Sequence, residues 1–320
     1  MTRISIRTMN RLATMGSCAL LLAACGGQTG APAGVVEAEA SQTAQASPVR
    51  YHFLRNATAR LDYAGQTILL DPMLSGQGEL PSFAGIAPNP TVALPLTVSD
   101  AVAGIDAVIV GHMHVDHFDP AAAEALPKDV PVFTPDNSAP TSPPQPEPVV
   151  DFRTQLQDYG FTDVSLLDGA EFEGVSMEQE FARHGSGNVA ELMGGVNGIV
   201  LSAPGHPRIY WTGDTVLDGE GRVEAILTEH APDIVIAHTG GAVIAPLGET
   251  PLMMDEAQAV EFFQAAHAAN PEVQIVAVHM NALDHCFTTR ETLAAEVEGL
   301  PADLLDGLHM PVEGETVVFD

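Results

Sequence analysis

The sequence predicts a mixed α/β fold, and three observations carry that reading. Short apolar runs bounded by Gly, Asp or Pro recur along the chain in the manner of buried strands. Longer stretches with helical apolar spacing alternate with them. Histidines and aspartates fall at or just past the ends of several apolar runs, where α/β folds assemble ligand sites from their loops.

Eight strand-like runs stand out in order: "TILLD" (67–71), "DAVIVG" (106–111), "VPVFT" (130–134), "VSLLD" (164–168), "GIVLS" (198–202), "RIYWTGD" (208–214), "DIVIAHTG" (233–240) and "VQIVAVHM" (273–280). Helix-like segments follow several of them: "PAAAEAL" after Asp119, "GRVEAILTEH", "MDEAQAVEFFQAAHAA" and "TRETLAAEVEGL". Two proline-rich loops, 73–99 and 135–150, interrupt the pattern. Loops of this length inside a domain commonly serve as lids over a site. The first one directly follows the run ending at Asp71; the second reads as a surface insertion. No period of 20 to 50 residues is visible, which argues against a solenoid.

The amino terminus reads as a targeting segment. Arg3, Arg7 and Arg11 precede an apolar stretch too short to span a bilayer as a helix. It ends in Leu22-Ala23-Ala24-Cys25, which resembles the lipobox of bacterial lipoproteins. That resemblance implies a signal peptide over residues 1–24 and lipidation of Cys25. Gly26, in place of Asp, resembles lipoproteins sorted to the outer membrane. Residues 25–48 then form a lipidated, flexible tether of small and polar residues, and the domain proper occupies 49–320. The expected location is the periplasmic face of the envelope, with membrane contact through the lipid alone. Cys18 leaves with the signal and Cys25 carries lipid, so Cys286 remains as a lone thiol, read as a small buried residue.

Composition narrows the function. The chain holds 12 Lys and Arg against 42 Asp and Glu. Phosphate backbones are bound by basic surface, so no nucleic-acid partner is expected; a small molecule is. The acidity reads as a solvated surface that aids solubility.

The sharpest signal is "GHMHVDHFDP" at 111–120. With 12 histidines in 320 residues, three within six positions are far from a compositional accident. His112-x-His114-x-Asp116-His117 supplies imidazole and carboxylate donors of the kind that hold zinc and similar divalent ions. Alternate spacing on a turn lets His112 and His114 face one ion, and Asp116 and His117 a second.

Downstream come an isolated histidine in "ARHGSG", the segment "YWTGDT" and a strand-end histidine in "AVHMNALDHC". In this order and spacing the chain resembles the metallo-β-lactamase-fold hydrolases over most of residues 49–320. "ILLDPMLSG", "HTGGA" and "HMNALDHCFTTRETL" look most like a bacterial branch related to L-ascorbate phosphate lactonases and N-acyl phosphatidylethanolamine phospholipase D enzymes. The resemblance implies a four-layer αββα sandwich whose two similar halves meet at the metals. It implies His112, His114 and His184 on one ion, Asp116, His117 and His279 on the other, and Asp214 bridging both. The ions would be two divalent metals, zinc by default, with manganese or iron accepted by the same donors. The implied activity is hydrolysis by a metal-bridging hydroxide of an ester or lactone, with a phosphodiester second; the rival is a non-catalytic metal- or substrate-binding envelope lipoprotein. Asp at 214, not Cys, excludes the thiolate ligand of many true β-lactamases. His at 114, not Glu, argues against flavodiiron oxidoreductases.

Three further assignments complete the expectation. Asp71 is a candidate carboxylate orienting a ligand histidine. His285 is a candidate catalytic group beside the metals, as an acid or hydrogen-bond donor, with metal ligation in place of His279 the less favoured alternative. His238 and His309 read as structural. "HTGGA" is a stretch whose backbone could approach a substrate.

Overall fold

The computed structural model describes residues 47–137 and 151–319. The expected signal peptide, Cys25 and most of the tether lie outside these residues, as does most of the 135–150 loop.

In chain order the elements are β1 (Val49–Arg55), β2 (Thr58–Tyr63), β3 (Gln66–Leu70), α1 (Val98–Val102), β4 (Ala107–Ile109), α2 (Pro120–Ala125), β5 (Val132–Thr134), α3 (Phe152–Asp158) and β6 (Val164–Leu166). There follow β7 (Glu171–Phe172), β8 (Val175–Phe181), α4 (Asn188–Met193), β9 (Asn197–Ser202), β10 (Ile209–Trp211), α5 (Arg222–His230), β11 (Ile234–His238), α6 (Glu256–Ala269), β12 (Gln274–Val278), α7 (Arg290–Val297), α8 (Ala302–Asp306), β13 (Leu308–His309) and β14 (Thr316–Phe319). They build two seven-stranded sheets, in the orders β14-β1-β2-β3-β4-β5-β6 and β13-β12-β11-β10-β9-β8-β7. In each sheet one half is antiparallel and the other parallel, with β3 to β6 and β10 to β13 forming the parallel halves.

Side-chain alternation explains the layering. Ile68 and Leu70 of β3, Ile234 and Ile236 of β11, and Val276 and Val278 of β12 point between the sheets into one shared core. Their neighbours point outward: Leu69 packs under α1 and α2, while Val235, Ala237, Ile275 and Ala277 pack under α5 and α6. Parallel strands covered on both faces therefore read as unbroken apolar runs. In α6, Ala259, Phe262, Phe263 and Ala266 recur at helical spacing and face the second sheet. Asp255 caps its start by accepting from the Gln258 N–H. The result is the four-layer αββα sandwich.

The sequence reading missed the antiparallel strands at the sheet margins. In β1, Arg50 is exposed between buried Val49 and Tyr51, and in β8 Glu178 is exposed one residue after buried Met177. Such half-covered strands alternate and offer no continuous apolar run. The short helices α1, α3, α4 and α8 carry too few turns for a helical period to show. The 73–99 loop ends earlier than expected, at Thr97, which caps α1 by accepting from the Asp100 N–H.

Candidate metal centre

The parallel halves of both sheets end at the same side of the sandwich, and their trailing residues meet there. Asp71 follows β3, His112 stands three residues beyond β4, Asp214 three beyond β10, His238 ends β11, and His279 follows β12. His184 follows β8 and comes in from the antiparallel half. The turn after β4 is closed by the N–H groups of His117 and Phe118, which both donate to the His114 carbonyl. Asp119 then caps α2 by accepting from the Ala122 N–H, so the histidine-rich segment is locked between a strand end and a helix start.

Two groups of donors result. The ligand atoms of His112, His114 and His184 lie within 4.8 Å of one another. His117, Asp214, His238 and His279 form a second set of the same tightness. Asp214 spans the two: its Oδ2 lies 3.2 Å from His117 Nε2, 3.7 Å from His184 Nε2 and 3.9 Å from His112 Nε2. Asp116 Oδ2 lies 3.6 Å from His117 Nε2 and 3.4 Å from His279 Nε2, beside the second group.

The outer partners fix which nitrogen faces inward. His117 Nδ1 donates to Asp71 Oδ2 at 2.6 Å, and Asp71 Oδ1 accepts from the Gly111 N–H at 2.6 Å. A Cβ at Gly111 would stand 3.3 Å from Asp71 Oδ1, so a side chain there would press on this carboxylate. His184 Nδ1 donates to the Leu252 carbonyl at 2.7 Å, leaving Nε2 aimed at Asp214. His279 Nδ1 faces Cys286 Sγ at 3.7 Å; burial pushes that thiol's pKa up, so it is no nucleophile. His279 has φ +66°, Asn56 +58° and Asp71 +38°. His279 and Asn56 are linked to each other and to Asp116, since the His279 N–H donates to the Asn56 carbonyl and the Asn56 amide donates to the Asp116 carbonyl. Backbone strain of this kind collects at functional sites.

His238, read from the sequence as structural, lies against the site. It belongs geometrically to the second donor set, yet both its nitrogens are committed. Trp211 Nε1–H donates to His238 Nε2 at 2.7 Å, and His238 Nδ1–H donates to Asp214 Oδ1 at 2.7 Å. Its role is to hold the carboxylate. Its only signal in the sequence was its place at the end of a strand-like run. His309, by contrast, pairs with Gln274 and packs on Phe319, away from the site.

The donor chemistry fits a cation. His112 Nε2 faces His114 Nδ1 at 3.1 Å, and His117 Nε2 faces His279 Nε2 at 3.1 Å. These nitrogens turn toward one another and toward the carboxylates of Asp116 and Asp214, so several lone pairs converge where a divalent cation would be held. Burial holds His112 and His184 below the ordinary histidine range, His184 down to about 4, so both are neutral donors at pH 7. Burial alone would raise Asp116 and Asp214; the imidazoles of His117 and His279 outweigh it and hold both carboxyls well below their usual range. Asp71, Asp116 and Asp214 together raise His117 in spite of burial.

The centre opens into a cavity of about 200 Å³. Polar His114, Asp116, His184, Asp214 and His285 line it together with apolar Phe83, Val115, Met193, Ile244 and Leu252. Among the described residues, no Lys or Arg lines it. His285 is buried at this wall, its Nδ1 without a protein partner, and lies outside the donor set that contains His279. A larger cleft of about 590 Å³ lies at the starts of β11 and β12, where no donor set gathers among the described residues.

The 73–97 loop proves to be a fixed wall. Arg55, fully buried, donates to the carbonyls of Met73, Ser75 and Val92. Asp119 accepts from the Ser75 N–H, and Leu80 pairs with Asn89 across the loop. The glycines of "HTGG" make room for the chain itself. A Cβ at Gly240 would lie 2.1 Å from the His279 carbonyl oxygen, and one at Gly241 2.3 Å from Thr288 Oγ1. The expected approach of this backbone to a substrate is therefore replaced by close packing behind His279.

Known proteins agree with this geometry. A family model described as a beta-lactamase superfamily domain matches residues 66–280. The UPF0173 protein YddR of Bacillus subtilis (strain 168) is 32% identical over 274 residues, covering 83% of this chain and 98% of that protein. A protein described as a possible metal-dependent hydrolase from Veillonella parvula DSM 2008 superposes with a TM-score of 0.74 at 28% identity, over 85% of this chain and 99% of the other. The isothiocyanate hydrolase from Delia radicum gut bacteria superposes with a TM-score of 0.72 at 31% identity, over 84% and 99%. A strand-end cluster of His and Asp able to hold metal, within a matching sandwich, leads to one conclusion: the chain belongs to the beta-lactamase superfamily, among its metal-dependent hydrolases.

Proposed function

We propose that the chain is a binuclear hydrolase acting on the electrophilic carbon of a small, neutral, largely apolar substrate. The observation that carries this reading is Asp214 Oδ2, poised between the two donor groups at the floor of a cavity that bears no cationic side chain. His112, His114 and His184 would hold one ion, and Asp116, His117 and His279 the other, with Asp214 shared. Divalent ions held by these residues would supply a bound water of lowered pKa and a Lewis acid for the scissile bond. The protein's own groups supply the rest. Asp116 and Asp214 accept hydrogen bonds from the attacking water and orient it. His285, which burial keeps below the ordinary histidine range and hence neutral at pH 7, donates one N–H to the substrate heteroatom as negative charge develops. Phe83, Val115, Met193, Ile244 and Leu252 exclude water and hold the organic group.

The uncharged wall favours an ester, a lactone or an isothiocyanate over a phosphodiester, whose anionic oxygens find no Lys or Arg there. The relative that hydrolyses isothiocyanates supports including that class. The same uncharged wall favours the lactonase side of the branch suggested by the motifs over the phospholipase D side. We place the enzyme on the periplasmic face of the envelope, anchored through Cys25, on the strength of the Leu22-Ala23-Ala24-Cys25 segment alone.

The test is elemental analysis of the purified chain beside Asp116→Ala and Asp214→Ala variants. Turnover of allyl isothiocyanate, a γ-lactone, a phenyl ester and bis(4-nitrophenyl) phosphate is read on the same samples. About two zinc or manganese per chain, falling to about one in the Asp116 variant with loss of turnover, supports the reading. Stoichiometric metal with no hydrolysis in any sample returns the chain to a binding lipoprotein.

A further inference from the structure

The carboxylate of Asp284 is the most heavily hydrogen-bonded group near the cavity, and neither metal binding nor the proposed chemistry uses it. Its oxygens accept from the N–H groups of Phe83 (3.0 Å), Ala84 (3.3 Å), Ile86 (3.1 Å) and Ala87 (3.1 Å), from the Asn89 side-chain amide (2.9 Å) and from the Ser82 hydroxyl. Asn89 closes the ring, its Oδ1 accepting from the Asp284 N–H at 2.9 Å. Successive backbone N–H groups curled round one anion make a nest; here the anion belongs to the protein itself. Asp284 is buried, so without the loop these oxygens would lose water and gain nothing.

What the nest holds in place matters more than the nest itself. Phe83 is its first backbone donor and lines the cavity. His285, next in sequence to Asp284, lines it too. The two rings meet edge to face, with centroids 5.1 Å apart and planes at 88°. One carboxylate thus ties the 82–89 loop to the strand end that carries His279 and His285.

We propose that Asp284 is a positioning residue that pegs the 82–89 loop against the metal centre, and that Phe83 on this loop is the specificity residue that grips an apolar organic group on the substrate. The inference rests on the reading above only in taking the cavity as the substrate site. Neutralising Asp284 removes the anion that gathers the loop N–H groups, so Phe83 leaves its place over the cavity although no metal donor is touched.

Two readouts separate the parts. Amide exchange on the metal-free chain compares wild type with Asp284→Asn; circular dichroism of both checks the fold. Exchange at Phe83, Ala84, Ile86 and Ala87 is expected to rise at least about tenfold in the variant, with the sheet amides unchanged. Unaltered exchange at these four positions overturns the peg. Calorimetry on the zinc-loaded chain then compares benzohydroxamate with acetohydroxamate, which share a metal-binding head and differ in their organic group. Wild type is expected to prefer benzohydroxamate. Phe83→Ala and Asp284→Asn should each reduce that preference about tenfold, the effect of one lost ring contact, while Phe83→Leu keeps most of it and zinc content stays constant. An unchanged preference in Phe83→Ala overturns the specificity role, and Phe83→Ala keeps the nest if Asp284→Asn fails to fold. Absence of hydroxamate binding in zinc-loaded wild type overturns that role together with the cavity reading. Hydroxamate discrimination without hydrolysis of any substrate leaves the inference standing and sinks only the substrate proposal.

Discussion

Trp211 donates its indole N–H to His238 Nε2 at 2.7 Å, and this bond decides what His238 does. With Nε2 occupied as an acceptor, the ring proton must sit on Nδ1, where it is given to Asp214 Oδ1 at 2.7 Å. Asp214 is left with Oδ2 turned to both donor groups. The chain's single tryptophan, wholly buried between the sheets, therefore orients the shared carboxylate through one imidazole.

His238→Ala should weaken metal binding roughly 10- to 100-fold, in the range of other outer partners of metal ligands. It also leaves a buried indole N–H unpaired, at about 1–3 kcal/mol of stability. Trp211→Phe should give a smaller loss of affinity, because the imidazole stays and can still donate Nδ1–H to Asp214 Oδ1, although the indole no longer fixes that tautomer. Competition titration against a chromophoric chelator measures both. Wild-type affinity in His238→Ala would show that the relay is packing alone.

Asp71 acts on the other side of the centre. Replacing it by Ala strands the His117 Nδ1 proton and the Gly111 N–H, both of which now point at its carboxylate. We expect metal affinity to fall by a similar 10- to 100-fold, with Asp71→Asn retaining part because its carbonyl oxygen still accepts from His117. Equal affinity in all three proteins would refute the orienting role.

Arg55 is the pin of the 73–97 loop. Arg55→Ala leaves the carbonyls of Met73, Ser75 and Val92 buried without this donor, and should cost about 3–5 kcal/mol in a denaturant titration. Arg55→Lys recovers little, since an ammonium cannot reproduce the fork that reaches all three. A loss under 1 kcal/mol for Arg55→Ala would mean that the loop is held elsewhere.

Acid should destabilise the metal-free chain well before ordinary carboxylates titrate. His184 titrates near 4 when folded and near 6.5 when unfolded. The unfolded chain therefore takes up a proton in that window that the folded chain refuses, and stability falls with pH by at most about 3 kcal/mol from this group. Burial acts in the same direction on His112, His114 and His238. His117 opposes them, because its raised folded pKa stabilises below the unfolded value and is lost as pH rises. Asp116 and Asp214, lowered when folded, add a further loss at still lower pH. Unfolding midpoints in chelator at pH 7.5, 6.0 and 5.0 should fall in that order. A flat profile would indicate that the histidines are not buried as neutral rings.

What was legible at the outset follows from covalent neighbourhood and period. The eight parallel-type or central runs were visible because burial on both faces forces consecutive apolar residues. The cluster from His112 to His117 was visible because its donors are adjacent in sequence. His184, Asp214 and His279 carried signals only as single polar residues after apolar runs, and their grouping needed the order of motifs. Asp284, in the same segment as His279 and His285, gave no signal, because a lone aspartate in a loop looks the same whether it meets water or six donors.

The sequence by itself determined the mixed α/β class, the central strands, the donor types and the strand ends at which they stand, since these depend on apolar runs and on residue chemistry. Only the tertiary structure decided which nitrogen of each histidine faces the centre, that His238 serves Asp214, and that the long loop is wound on Asp284. The physical reason is that hydrogen-bond direction and buried charge are settled between residues far apart in sequence, 202 positions in the case of Ser82 and Asp284. No local pattern along the chain encodes such a pairing.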